Sequence, residues 1–255
     1  MRIVLSDTYR DMSRKAAYIV ASQIILNPRS VLGLATGDTP LGLYRMLISM
    51  YWAGDLDFSR ITTFNLDEYY ELSEESPYSY HYYMKQNLFQ HINIRKEQCH
   101  IPRGTAENVE QECRLYDRAI EDAGGIDLQI LGLGVDGHIG FNEPDEKFEG
   151  GTHLVELQES TLQANARFFP SSEEVPRFAL SMGIKTIMKA RKILLLASGA
   201  SKADAIYEAL RGEVNPEIPA SILQLHPDVT CILDKNAASR LEAEGEELPL
   251  QKRSF

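Results

Sequence analysis

Short apolar runs along the chain alternate with stretches whose apolar residues recur every three or four positions. The runs Met1–Leu5, Val31–Ala35 (VLGLA), Ile61–Asn65 (ITTFN), Ile126–Leu133 (IDLQILGL), Lys192–Ala197 (KILLLA) and Val229–Leu233 (VTCIL) predict strands. Asp7 is placed to cap a helix through Ile25, with Met12, Ala16, Ile19 and Val20 on its apolar face. Further helices are expected to open at Pro40, to cover Pro77–His91 and Glu107–Ala123, and to run from Ser201 to Leu210. Unbroken apolar strands alternating with amphipathic helices predict an α/β fold, a parallel sheet covered by helices on both faces. From about Thr152 to Met182 the rhythm breaks: Pro170 and Pro176 lie among many polar residues, as in a surface subdomain or a lid. No repeat or linker divides the chain, so residues 1–255 are expected to form a single domain. The acidic tail from Leu241 to Phe255 reads as a frayed end.

Composition narrows the function classes. With 255 residues, 44% of them hydrophobic, the chain can bury a sizeable core. A formal charge of -11 argues against nucleic-acid binding, which needs a basic surface. It leaves room for a small anion, which a few cations and backbone N–H groups can hold. No apolar run approaches a membrane span, and the N-terminus lacks the features of a signal peptide. Cys99, Cys113 and Cys231 form no CxxC pair and are expected to be reduced structural thiols, which fits a cytoplasmic protein.

In an open parallel sheet, ligands bind beyond the carboxyl ends of the strands, and four strand ends carry candidate chemistry. After VLGLA comes TGDTP, Thr36–Pro40. Gly37 permits a tight turn, Thr39 is expected as an N-cap and Pro40 as the first helical residue. Such a helix start can bind phosphate, although an ordinary strand-to-helix turn has the same composition. In FNLDEYY (Phe64–Tyr70), Asp67 and Glu68 follow a buried strand. They are a general-base candidate if desolvated, and a solvated turn if not.

The segment GLGVDGHIGFNEP, Gly132–Pro144, contains G-x-G-x-x-G. A dinucleotide fingerprint must open a long helix, whereas NEPDEKFEGG follows here, so that reading is rejected. What remains is a glycine-rich loop in which Asp136 and Glu143 can orient His138. A metal is not expected, because the spacing matches no established ligand pattern. The fourth end, SGASK (Ser198–Lys202), sets Lys202 at a helix start, where it can join the TGDTP turn in a phosphate site. Arg167 in NARFF is a second candidate cation.

Together TG-x-TP, FNLDEY, ECRLY (Glu112–Tyr116), GLGVDGHIGFNEP, NARFFP and SGASKADA resemble the glucosamine-6-phosphate deaminase family, in its order and over nearly the whole chain. The short, Gram-positive type is the most similar. The resemblance implies a modified doubly wound, Rossmann-like sheet with a mobile lid, which suits residues 152–182. It implies conversion of glucosamine 6-phosphate and water to fructose 6-phosphate and ammonia, a step of amino-sugar catabolism that needs no cofactor. His138, with Asp136 and Glu143, would open the sugar ring, and Asp67 would be the base at C2. Thr36, Gly37, Asp38, Thr39, Arg167 and Lys202 would hold the phosphate.

Two departures from the family pattern carry expectations of their own. The family usually has a small residue where this chain has Asp38. A carboxylate about 5 Å from a phosphate costs roughly 3 kcal/mol per unit charge at an effective dielectric of 20. The Asp38 side chain is therefore expected to turn away, with only its backbone facing the ligand. Allosteric hexameric members carry basic residues after NEP that bind N-acetylglucosamine 6-phosphate, where this chain has His153 and Val155. No activation by that effector is expected, and the chain should be a monomer or a small homo-oligomer. Other substrates on the same fold remain as rivals. A galacto epimer is left open, whereas a 6-phosphogluconolactonase has little use for Asp67. A sugar-phosphate-sensing regulator should carry a DNA-binding segment and a basic patch, and this chain has neither.

Overall fold

A computed structural model of the protein describes residues 1–243. In chain order it contains β1 (Arg2–Ser6), α1 (Tyr9–Leu26), β2 (Val31–Leu34), α2 (Leu41–Trp52), β3 (Thr62–Asn65), β4 (Asp67–Tyr69), α3 (Tyr80–Asn87), β5 (Cys99–His100) and α4 (Val109–Asp122). There follow β6 (Leu128–Leu131), β7 (His153–Glu156), α5 (Glu159–Ala166), β8 (Phe178–Ser181), α6 (Ile184–Met188), β9 (Ile193–Ala197), α7 (Ala203–Arg211), β10 (Val229–Asp234) and α8 (Ser239–Ala243). Of the tail read as frayed, residues 241–243 belong to α8 and the remainder lies outside the described residues.

The main sheet has the strand order β1-β10-β9-β6-β2-β3-β5, and every neighbouring pair is parallel. The strands β2, β6, β9 and β10 are buried at every residue, which their unbroken apolar runs require. From β2 the chain adds β3 and β5 in one direction; from β6 it adds β9 and β10 in the other. Right-handed crossovers then put the two sets of connecting helices on opposite faces. The reversal falls between β2 and β6, the place where such a sheet opens a crevice.

Several local expectations are corrected. Thr8, not Asp7, caps α1: its hydroxyl accepts from the Asp11 N–H at 3.1 Å. Thr39 does not cap α2. Pro40 occupies the capping position without a side-chain bond, because Leu41 N–H reaches back to Asp38 O at 3.3 Å and makes residues 38–41 a turn. The Pro77–His91 helix shortens to α3, capped by Ser79 through Tyr82 N–H at 3.0 Å and ended where Leu88 leaves helical geometry.

Residues 152–182, where the rhythm of the main sheet breaks, contain two strands and a helix. β7 and β8 pair antiparallel, and β8 pairs with β4, so Asp67–Tyr69 belongs to a small three-stranded sheet. This sheet carries its own apolar cluster of Tyr69, Phe141, Leu157, Phe169, Val175 and Ala179. Among the described residues no helix is long and apolar enough to cross a membrane. All three cysteines are free, and burial pushes their thiols up to about 11 for Cys99 and Cys113 and about 12 for Cys231, as inert structural thiols should be.

Candidate active site

The turn after β2 is held from outside. Tyr83 donates to Gly37 O at 2.5 Å and Tyr9 donates to Asp38 O at 2.9 Å, while Tyr9 Oη also accepts from Gly42 N–H at 2.7 Å. Gly37, at φ 88°, supplies the left-handed step that turns the chain there. Thr36, Gly37, Asp38 and Thr39 line a cleft of about 620 Å³ at the switch point, with Asp67, Asp136, His138, Arg167 and Lys202. Glu143 is the one predicted site residue that does not line the cleft; it stands buried behind His138.

β3 ends at Asn65 and β4 begins at Asp67, so the two acidic neighbours follow strand alternation and point opposite ways. Asp67 lines the cleft, buried, with its Oδ1 lacking a hydrogen-bond partner. Burial, reinforced by the charge of Glu68 and opposed by that of His138, pushes its carboxyl up to about 8. Glu68 does structural work that the sequence reading missed. Its carboxylate accepts from the N–H groups of Tyr69, Tyr80 and His81 at 2.8, 2.9 and 3.0 Å, and pairs with His81 Nδ1 at 2.8 Å. It thus welds β4 to the start of α3 and sets Tyr80 at the cleft wall.

No helix follows β6 before α5, which removes a dinucleotide loop. A Cβ at Gly134 would lie 2.4 Å from the His138 ring, so glycine there makes room for the imidazole. His138 Nδ1 lies 2.7 Å from Asp136 Oδ1 and 3.5 Å from Glu143 Oε2. Burial alone would depress the imidazole, but the neighbouring carboxylates of Asp136 and Glu143 outweigh it and raise His138 to about 9. Burial pushes the other way on Asp136, yet His138, with the Ser160 hydroxyl, holds that carboxyl well below its usual range. Both carboxylate oxygens of Glu143 lack hydrogen-bond partners. The ligand atoms of Asp136, His138 and Glu143 fall within 4.8 Å of one another, the one such group among the described residues. At 2.7 Å, Nδ1 and Oδ1 are in ion-pair contact without an aligned hydrogen bond, so Nδ1 is held by charge and stays open to carry a proton.

The two candidate cations come from different elements. Lys202 ends the short turn Ala200–Lys202 before α7. Burial, reinforced by the charge of Arg167 and opposed by that of Asp136, depresses its amine. Asp234, at the end of β10, fixes this turn by accepting from Ser198 Oγ at 2.5 Å and from Gly199 N–H at 3.1 Å. The sequence reading missed it; its signal was a carboxylate closing a buried strand. Arg167 follows α5 and lies over the Phe168 ring, 4.6 Å from its centre. Its Nη2 is 2.7 Å from Asp38 Oδ2. The expectation that the Asp38 carboxylate turns clear of the site is therefore corrected. Opposite charges face each other across the cleft mouth, and the carboxylate engages a candidate phosphate ligand.

Known proteins share this architecture. A model of the family described as glucosamine-6-phosphate isomerases/6-phosphogluconolactonase matches residues 6–231. A glucosamine-6-phosphate deaminase of Clostridium botulinum (strain Langeland / NCTC 10281 / Type F) is 59% identical over 242 residues, covering 95% of this chain and 99% of that one. A glucosamine-6-phosphate deaminase of Halothermothrix orenii is 60% identical over 241 residues, covering 94% and 100%. A solved monomeric glucosamine-6-phosphate deaminase superposes with a TM-score of 0.92 at 49% identity, over 94% of this chain and 99% of that one. A 6-phosphogluconolactonase from Thermotoga maritima shares the fold, with a TM-score of 0.73 at 21% identity over 92% and 99%. By a family match that spans most of its length, this chain belongs to the glucosamine-6-phosphate isomerase/6-phosphogluconolactonase family.

Proposed function

We propose that the protein converts glucosamine 6-phosphate and water to fructose 6-phosphate and ammonia. The observation that carries this reading is Asp67, a buried carboxylate with an unpartnered oxygen, facing the same cleft as the His138 relay. A lactonase has no carbon acid to deprotonate, whereas an aldose–ketose isomerisation requires a base at C2. The relatives named above, deaminases at 59% and 60% identity, support the same choice.

In the proposed mechanism the sugar phosphate docks with its phosphate on the 36–39 turn, Arg167 and Lys202. His138 moves the proton of the anomeric hydroxyl to the ring oxygen, and the ring opens to the aldehyde. Asp136 and Glu143 keep the imidazole oriented and stabilise its protonated form. Asp67 then removes the proton from C2, giving an enolamine, and returns it to C1, giving an imine at C2. Water adds to the imine carbon, ammonia leaves, and the ketone of fructose 6-phosphate remains. Each positioned acid or base contributes on the order of 10²–10⁴ in rate.

Residues 152–182 act in this reading as a lid that brings Arg167 to the phosphate, and residues 1–255 as one catalytic domain. The free cysteines suit the cytoplasm, and the monomeric structural relative suits a monomer. The test is ammonia release from glucosamine 6-phosphate and from its galacto epimer side by side, with Asp67→Asn as control. Release from the gluco substrate, lost in the variant, is expected. A preference for the galacto epimer would change the substrate, and full activity of Asp67→Asn would remove Asp67 from the mechanism.

A further inference from the structure

We infer that Asp38 sets the affinity of the phosphate pocket, as a built-in competitor that the phosphate of the substrate must displace from Arg167. The inference rests on the phosphate-binding reading of the 36–39 turn and extends it to the one acidic residue in that turn. Asp38 Oδ2 lies 2.7 Å from Arg167 Nη2, within charge-assisted hydrogen-bonding distance. Their side chains are 54% and 64% exposed, so the pair is solvated and breakable rather than a buried structural link.

The backbone of Asp38 is fixed independently of its side chain, since its carbonyl accepts from Tyr9 Oη. The carboxylate can therefore swing out while the turn keeps its shape and its N–H groups stay in place. The other cation is not engaged in this way. Among the described residues no carboxylate lies within ion-pair distance of Lys202, so the turn's carboxylate neutralises Arg167 alone. Binding then becomes an exchange, in which a phosphate must give Arg167 more than the carboxylate already gives it. The pair also ties the end of α5 to the turn after β2, so the same exchange re-anchors α5 from protein to ligand. Asp38 is a positioning residue in this scheme and touches none of the reacting atoms.

The test measures binding of inorganic phosphate to the intact chain by calorimetry, and steady-state kinetics on glucosamine 6-phosphate, for the parent, Asp38→Asn and Asp38→Ser. The same Asp38 substitutions are repeated beside Arg167→Ala. Removing a competing exposed ion pair is expected to tighten phosphate binding about two- to fivefold. KM should fall by a similar factor, with kcat held within about twofold, because only ground-state binding of the remote phosphate changes. In the Arg167→Ala background the gain should shrink below about twofold, since the residue being competed for is gone. Unchanged or weaker binding overturns the inference, and so does a gain of equal size without Arg167, which would mark simple repulsion between Asp38 and the ligand. Absence of phosphate binding in every variant overturns the pocket and the inference together. A parent that binds phosphate but releases no ammonia fails the proposed function, while the calorimetry still decides the role of Asp38.

Discussion

Asp67 carries an electrostatic cost that the role proposed for it requires. Its folded pKa of about 8 lies above the unfolded value near 3.9, so ionising it is harder in the folded chain. The penalty is absent below about pH 4 and grows as pH rises toward 8. Asp67→Asn should therefore stabilise the protein at pH 7 by on the order of 2–4 kcal/mol while abolishing turnover. Urea unfolding at pH 7 and at pH 4 checks this: a gain that persists at pH 4 would not come from ionisation. His138 works in the opposite sense. Its folded pKa of about 9 exceeds the unfolded 6.5, so the stability of its pairing with Asp136 is complete below about 6.5 and is lost as pH rises through 9. With Asp67 as the proposed base, near 8, and His138 as the proposed acid, near 9, kcat/KM should trace a narrow bell, rising through the first and falling through the second. In Asp136→Asn the alkaline limb should move to lower pH by about one unit or more, as His138 loses its main counter-charge. An unmoved limb would assign that limb to another group. Both residues were legible in the sequence because polar side chains directly after apolar strands are conspicuous. Glu68 was not, because only the alternation of β4 reveals that it faces away from Asp67.

Between elements, the decisive joints are polar. Glu68 satisfies three backbone N–H groups where β4 meets α3, while itself buried. Glu68→Ala leaves those donors buried and unpaired, and should cost about 2–4 kcal/mol in denaturant unfolding. It should also lower kcat, because Asp67 and Tyr80 sit on the two elements that it joins. A loss of stability with kcat intact would show that the site does not depend on this joint. Gly134→Ala tests the other wall. A Cβ 2.4 Å from the His138 ring forces the imidazole to move, and a misplacement of about 1 Å costs on the order of 10²-fold in kcat. The parallel strands were readable because each is buried end to end and so uniformly apolar. The small sheet was not. β7 alternates half-buried and exposed residues over four positions, and β4 has three residues, too short for a period to register. Antiparallel partners far apart in sequence complete both, and no local pattern announces such pairing.

At the scale of the whole molecule, the remaining question is whether the site answers to a second ligand or a second copy. The allosteric relatives implied by the sequence resemblance hold an anionic effector with basic residues just after NEP. Here His153 turns its Nδ1 to Gly151 O at 3.0 Å, and Val155 packs against the apolar cluster of the small sheet. The neighbouring cavity of about 280 Å³ is lined by Glu143, Asp145, Glu149 and Glu156, against which Lys147 and His153 are its basic side chains. Lys147 is already paired with Glu149 at 2.7 Å. An anionic sugar phosphate entering there would face four carboxylates against two basic side chains, so no activation through this cavity is expected. Rate against glucosamine 6-phosphate should be hyperbolic, and N-acetylglucosamine 6-phosphate should leave both the curve and its midpoint unchanged. Light scattering on the active protein should give one species near the chain mass of 28.8 kDa. A mass several times larger would overturn the monomer, and a sigmoidal curve that the effector makes hyperbolic would require an effector site other than this acidic cavity.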